Sequence, residues 1–178
     1  MLIDLEGIDG CGKSTQCKLL KEKLESIGKN VLILKEPTNE PHGQKLWDVL
    51  HGKRKATNEE ILEFFILDRK QHVEEKIQPA LDQGTVVIMD RYYYSSMAYQ
   101  VAGGLDVDYI RNKHDFAPTP DIVLIFDLPV STYLSSGEYL GGSGRVSQRI
   151  HLSILHNFWI VHSSVRHRYA LHGRWFFY

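Results

Sequence analysis

Four short apolar runs mark the first 126 residues, at 2–5, 31–34, 86–89 and 122–126. None of them alternates with polar residues in the two-residue rhythm of a half-exposed strand. Each therefore predicts a strand covered on both faces, as in a parallel sheet. Between the first two runs, Cys17, Leu20, Leu24 and Ile27 recur at helical spacing and Gly28 closes the stripe, which makes one βαβ unit. Thr57, three residues before Glu60, reads as a capping box. It opens a long helix carrying Ile61, Phe64, Phe65, Val73 and Ile77. Pro79 has no N–H to donate and is expected to kink or end that helix before the third strand. The third run leads into Asp90-Arg91 and the fourth into Asp127-Leu128-Pro129. Open α/β sheets place their ligands at such carboxyl ends. The expectation is an α/β fold, a three-layer α/β/α domain with a parallel sheet.

A chain of 178 residues suits a single domain over 1–178 with a good core. Net charge is −1, so no broad basic surface for nucleic acid is implied. No apolar run approaches the roughly 18 residues that a bilayer-spanning helix needs. The first strand begins at residue 2, which leaves no space for a signal peptide, and Cys11 and Cys17 read as reduced thiols. A cytosolic (cytoplasmic) protein without membrane partners is expected. After residue 130 the composition shifts: no lysine, one acidic residue (Glu138), five arginines and five histidines. Gly141, Gly142, Ser143 and Gly144 read as a flexible patch around Tyr139 and Leu140, and no clear fifth strand follows. The tail reads either as a mobile lid over 133–150 followed by a helix, or as a truncated or altered reading of the gene. Histidines 151, 156, 162, 167 and 172 fit no recognised ligand spacing and read as solvated or packed side chains.

The most specific chemistry lies in Gly7-Ile8-Asp9-Gly10-Cys11-Gly12-Lys13-Ser14, which fits the eight-position phosphate-loop pattern between a strand and a helix. Backbone N–H groups of such a loop turn inward around a β-phosphate, and the following helix adds its positive end. Lys13 is expected to reach the β- and γ-phosphates, and Ser14 to hold Mg²⁺ through its hydroxyl. A phosphate loop names the donor and not the reaction, so other residues must specify the acceptor. Asp9 is either a turn-supporting side chain or an acceptor for a substrate hydroxyl. Glu36 is a salt-bridge anchor, or a group on the substrate or Mg²⁺ side. Phe65 and Arg69, four apart on one helix face, are either a base platform with a phosphate grip or a core ring with a surface arginine. Asp90-Arg91 is either an Mg²⁺-water ligand with a second phosphate clamp or a structural ion pair.

The ordered set of these motifs resembles the thymidylate kinase family over residues 1–130. It runs from Glu6 through Lys13-Ser14-Thr15-Gln16 to Glu36-Pro37, and on to Leu67-Asp68-Arg69 with His72. Ile77-Gln78-Pro79-Ala80-Leu81 and Asp90-Arg91-Tyr92 follow, then Ser95-Ser96, Ala98-Tyr99-Gln100, Pro120-Asp121 and Asp127-Leu128-Pro129. The resemblance implies a phosphate-loop kinase fold and Mg²⁺-dependent transfer of a phosphoryl group from ATP to dTMP. It gives ATP the loop Gly7 to Thr15. It gives dTMP Asp9 at the 3′-hydroxyl, Phe65 stacked on the base, Arg69 near base and phosphate, and Arg91 on the acceptor phosphate. Ser96 and Gln100 would read thymine's polar edge, Tyr99 would shape the sugar pocket, and Glu36 and Asp90 would organise the Mg²⁺ and substrate side. With glycine at position 10, relatives take a catalytic arginine from the lid; Arg145 and Arg149 are the candidates here, since 133–144 holds none. Trp47 stands where many relatives carry arginine. Kinship also implies a homodimer, for which the face around Ile61 and Phe64 is the candidate. The rival readings are another nucleoside or nucleoside-monophosphate kinase, and a catalytically weak nucleotide-binding protein with a defective or repurposed tail.

Overall fold

The computed structural model describes residues 1–126 throughout, and beyond them only the backbone of two short strands. Asp127-Leu128-Pro129, the expected lid with Arg145 and Arg149, and the five tail histidines lie outside the described residues. The elements are β1 (Leu2–Gly7), α1 (Lys13–Glu25), β2 (Val31–Lys35), α2 (Pro41–Leu50), α3 (Asn58–His72), α4 (Gln78–Asp82), β3 (Val86–Asp90), α5 (Tyr93–Ala102), α6 (Val107–Lys113) and β4 (Ile122–Phe126). A π-helical turn, Val73–Ile77, joins α3 to α4. The two late strands, β5 (Tyr169–Leu171) and β6 (Arg174–Phe176), pair antiparallel with each other.

β1 to β4 form a fully parallel sheet in the order β2-β3-β1-β4, with Leu5 beside Asp90 and Gly7 beside Phe126. Helices cover both faces. On one, Ile3, Leu5, Val86 and Ile88 pack with Cys17 of α1 and its neighbours Leu20 and Leu24. On the other, Leu2, Val87 and Met89 pack with Val73, Ile77 and Ala80. The three-layer α/β architecture is as expected. β1 and β3 are buried along their whole length, whereas β2 is half-buried because it is an edge strand. An uninterrupted apolar run signals burial but not place in the sheet, so the edge was not legible locally.

Three helical expectations need correction. Ile27 lies beyond the end of α1 and is exposed, because the helix stops at Glu25 and Gly28 takes a left-handed φ of 78°. The Thr57 capping box is present, but the buried stripe of α3 is Leu62, Ile66, Asp68, Arg69 and His72. Ile61, Phe64 and Phe65 are half-buried, and Phe64 has Lys45 and Arg54 over its ring at 5.6 and 4.9 Å. Nor does Pro79 end the helical path, which continues to Asp82. Pro79 sits in the first turn of α4, where no N–H is needed, just after the π turn. Among the described residues, no helix is long and apolar enough to cross a membrane.

Candidate active site

The phosphate loop connects β1 to α1, and its path depends on close approach as well as dihedral freedom. A Cβ at Gly7 would stand 2.6 Å from the Phe126 carbonyl oxygen of β4, so only glycine lets the strand turn there. Gly12 precedes α1 with a left-handed φ of 91°, and no side chain caps the helix start. The N–H groups of that first turn therefore have no partner within the helix. Nζ of Lys13 donates to the carbonyls of Gly7 and Ile8 at 3.0 and 2.7 Å and lies 3.6 Å from Cys11 Sγ. Burial first, and the Arg91 charge second, push the Lys13 pKa below its usual value, against Cys11, Asp9 and Asp90.

One cavity of about 390 Å³ is lined by Asp9, Gly10, Gly12, Lys13, Ser14, Thr15, Lys35, Asp90 and Arg91. The parallel sheet brings them together, since β1, β2 and β3 all end on this side with Lys35 in register with Asp90. Ser14 Oγ donates to Asp90 Oδ2 at 2.5 Å, and Lys35 Nζ stands 4.0 Å from that oxygen. A hydroxyl and a carboxylate side by side are hard oxygen donors, which fits a Mg²⁺ ion that keeps most of its waters. Among the described residues no cluster of three or more His, Cys, Asp or Glu side chains could hold a metal on its own.

Arg91 adopts φ 73°, the one non-glycine residue with positive φ among those described. Its Nη2 donates to Asp9 at 2.7 Å and its Nη1 to Ser95 Oγ at 2.9 Å. Of the two readings of Asp90-Arg91, the structural ion pair is not formed within the segment: Arg91 pairs with Asp9 and not with Asp90. Burial would raise the pKa of Asp9, but the Arg91 charge and hydrogen bond, joined by the Lys13 and Lys35 charges, together outweigh it and hold the carboxyl below its usual range. Burial also opposes the Arg91 charge, yet Tyr99, Glu6 and Asp9 together raise its pKa. Glu6, to which sequence reasoning assigned no role, anchors this corner. It accepts from the backbone N–H of Tyr92 and Ser95 at 3.1 and 3.0 Å, and from Ser95 Oγ at 2.5 Å. Lys35 was missed as well; its signal was a lysine at the carboxyl end of an apolar run.

The remaining expected acceptor residues do not line that cavity. Glu36, Arg69 and Ser96 form a buried cluster behind it. Arg69 is 1% exposed, so the surface-arginine alternative is wrong, and its guanidinium meets Glu36 at 2.6 Å. Glu36 is a salt-bridge anchor that also meets His72 Nδ1 at 3.0 Å. Phe65 and Tyr99 are half-buried, and Gln100 is buried with its Oε1 lacking a partner among the described residues. The two groups meet in the first turn of α5, where Ser95 receives Arg91 and Ser96 receives Arg69. Cys17 is buried, and its thiol is pushed up to about 12, first by burial and then by Asp90 and Asp4. Both cysteines are free thiols, as expected.

Asp4 in β1 is fully buried, no donor among the described residues meets either carboxyl oxygen, and the Glu6 carboxyl is its neighbour. Burial first, then the Glu6 and Glu36 charges, raise its pKa well above the usual range, against Arg69. The unfolded chain releases this proton near pH 4 whereas the folded protein keeps it, so stability falls as pH rises from about 4 toward the folded pKa. Asp4→Asn has no proton to release. Its urea midpoint should therefore gain on the wild type as pH rises from about 4 toward the folded pKa, and a pH-independent difference would contradict this.

The thymidylate kinase family model matches residues 5–139. A thymidylate kinase from Desulfotalea psychrophila is 48% identical over 129 residues, 72% of this chain and 64% of that protein. A probable thymidylate kinase from Thermococcus kodakarensis is 48% identical over 138 residues, 73% of this chain and 67% of the relative. A thymidylate kinase from Xanthomonas campestris is 44% identical over 135 residues, 76% of this chain and 59% of that protein. The match thus spans only about three fifths to two thirds of the length of these curated relatives. The crystal structure of thymidylate kinase from Ehrlichia chaffeensis superposes with a TM-score of 0.75 at 29% identity, covering 96% of this chain and 86% of that one.

Proposed function

We propose, because this chain belongs to the thymidylate kinase family, that it catalyses Mg²⁺-dependent phosphoryl transfer from ATP to dTMP, giving ADP and dTDP. The observation that carries this reading is the cavity whose walls include Lys13 and the phosphate loop together with Arg91 and Asp9. A donor phosphate chain held by the loop would meet an acceptor phosphate held by Arg91 across that space. The loop N–H groups and Lys13 hold the β- and γ-phosphates, and the planar fork of Arg91 grips the acceptor phosphate. Asp9, exposed and kept ionised by Arg91, accepts from the sugar 3′-hydroxyl. An acceptor phosphate oxygen forms the new bond to the γ-phosphorus while the bond from that phosphorus to the β–γ bridging oxygen breaks, and ADP leaves with the electron pair. The attacking oxygen is already ionised, so no general base is required, and positioning with charge neutralisation carries the rate. Mg²⁺ beside Ser14 and Asp90 would neutralise charge on the β- and γ-oxygens.

Arg69, Ser96 and Gln100 serve the base, Phe65 stacks on it and Tyr99 bounds the sugar. Arg145 and Arg149 supply charge from the lid, and the protein works as a homodimer in the cytosol, without nucleic acid or membrane partners. ADP release measured with dTMP, dUMP, AMP or thymidine as sole acceptor tests the reading. The expected outcome is turnover fastest with dTMP. Faster turnover with AMP or thymidine would replace the assignment with another kinase, and ATP binding without any acceptor-dependent ADP release would leave a binding protein.

A further inference from the structure

Arg69 has one nitrogen to spare. Its Nε and Nη2 both meet Glu36 Oε2, at 2.8 and 2.6 Å, and Nη2 also donates to Ser96 Oγ at 2.9 Å. The Tyr92 ring lies under the guanidinium at 5.2 Å. Nη1 is shut off from solvent and has no partner among the described residues. A planar fork held on two of its three nitrogens presents the third in a fixed direction. A buried N–H pair left without an acceptor is costly unless a ligand supplies one.

The direction of that nitrogen depends on Glu36, and the carboxylate of Glu36 depends in turn on His72. His72 Nδ1 stands 3.0 Å from Glu36 Oε1, the oxygen that Arg69 does not use. Burial alone would raise the Glu36 pKa; Arg69 first and His72 second hold it below the usual range, so the carboxylate is ionised and Nδ1–H donates to it. His72 follows Arg69 by three residues on the same buried stripe of α3, which puts both side chains over β2's end. With His72 shortened, Oε1 would lose its fixed donor and the terminal torsion of Glu36 its second anchor, since a water entering in its place does not hold the carboxylate's direction. The fork of Arg69 would then follow a carboxylate free to turn.

We propose that His72 is a positioning residue for acceptor recognition: through Glu36 it fixes where the free nitrogen of Arg69 points, and thereby how tightly the acceptor's base is held. This rests on the reading that Arg69 serves the acceptor nucleotide. His72 also lies on the wall of a separate cavity of about 520 Å³, beside Trp47, Gln71 and Glu75. Space left by a smaller residue at 72 therefore opens onto this cavity, where water can enter, and not onto a sealed void.

The test is steady-state ADP release with dTMP and ATP varied separately, for wild type, His72→Ala, His72→Asn and His72→Gln. His72→Ala is expected to raise the KM for dTMP about tenfold, the lower range for losing an orienting partner, with the KM for ATP and kcat essentially unchanged. The amide nitrogen of Asn stands near the place of Nδ1 and can donate to Glu36, so His72→Asn recovers most of the loss. The amide of Gln reaches the place of the other ring nitrogen, and His72→Gln does not recover it. Equal losses in the Ala and Asn variants overturn the proposal. So does a KM for ATP that rises in step with that for dTMP, or an Asn variant that regains melting temperature without regaining dTMP affinity. If the wild type releases ADP with dTMP and His72→Ala matches it in every constant, this proposal alone falls. If the wild type neither binds nor turns over dTMP, the functional reading falls and takes this one with it.

Discussion

Lys13→Ala is expected to lower dTMP-dependent ADP release about 10³-fold, the upper range for removing one preorganised donor from a site of developing charge. Without nucleotide the Lys13 ammonium is held by the protein alone. It is 6% exposed, curled against the Gly7 and Ile8 carbonyls, and pushed down in pKa by burial and by Arg91. A lysine so placed is poorly compensated until an anion arrives. A triphosphate entering the loop would supply the missing charge, and the attraction would grow as negative charge gathers on the oxygens between the β- and γ-phosphorus. Alanine removes that term while leaving the loop N–H groups in place, so ATP binding should weaken much less than turnover. Lys13→Arg should fail nearly as badly, because a planar fork cannot fold back onto two carbonyls as a point charge does. Single-turnover rates at saturating ATP would decide, with melting curves to show that the loop survives. A rate within tenfold of wild type would remove Lys13 from the mechanism.

Arg69→Ala should be the most destabilising substitution among the charged residues, by about 3–5 kcal/mol at neutral pH. Glu36 is 3% exposed and shares its surroundings with Asp4, so removing the guanidinium leaves a buried carboxylate held by His72 alone among the described residues, next to another acidic group. The sign of the pH dependence follows from the wild type. Glu36 has a lowered folded pKa, so its stabilisation is present above the unfolded value of about 4.3 and is lost as pH falls through the folded one. In Arg69→Ala the stranded carboxyl instead favours its proton. The gap between the two proteins should therefore be widest near neutral pH and should narrow toward about pH 4. Adding Glu36→Gln to Arg69→Ala should recover part of the loss, since the charge is then gone altogether. Urea unfolding at the two pH values checks both statements, and a gap that widens on acidification would refute the assignment. The Asp9–Arg91 pair has similar geometry at 2.7 Å, but Asp9 is 80% exposed. Water competes for it, so Asp9→Asn should alter stability by less than about 1 kcal/mol.

Much of the fold was legible because it rests on local rules. Unbroken apolar runs gave buried strands, the Thr57–Glu60 spacing gave a real capping box, and the glycine pattern from 7 to 12 marked the loop. α2, α5 and α6 were not anticipated, because each is ten residues or shorter and its packing partners lie far along the chain. α2 shows the difficulty: it starts at Pro41, and Gly43 is held so close that a Cβ would fall 2.2 Å from the Thr38 carbonyl oxygen. Nothing in the neighbouring sequence announces that approach. Phe65 and Arg69 also share a helix face as their spacing implies, yet Arg69 turns inward to Glu36 and Phe65 stays half-buried.

The residue order by itself determined the parallel strands, the phosphate loop at the end of the first, and the family to which the chain belongs, because each depends on spacing within one or two turns or on an ordered set of short motifs. Only the tertiary structure decided which oxygen each guanidinium meets: Arg91 takes Asp9 across 82 residues, Arg69 takes Glu36 across 33, and His72 secures the far side of that carboxylate. Those choices depend on distance and burial once β1, β2 and β3 lie side by side. A buried charge must take the nearest opposite charge, and sequence separation has no bearing on which one that is.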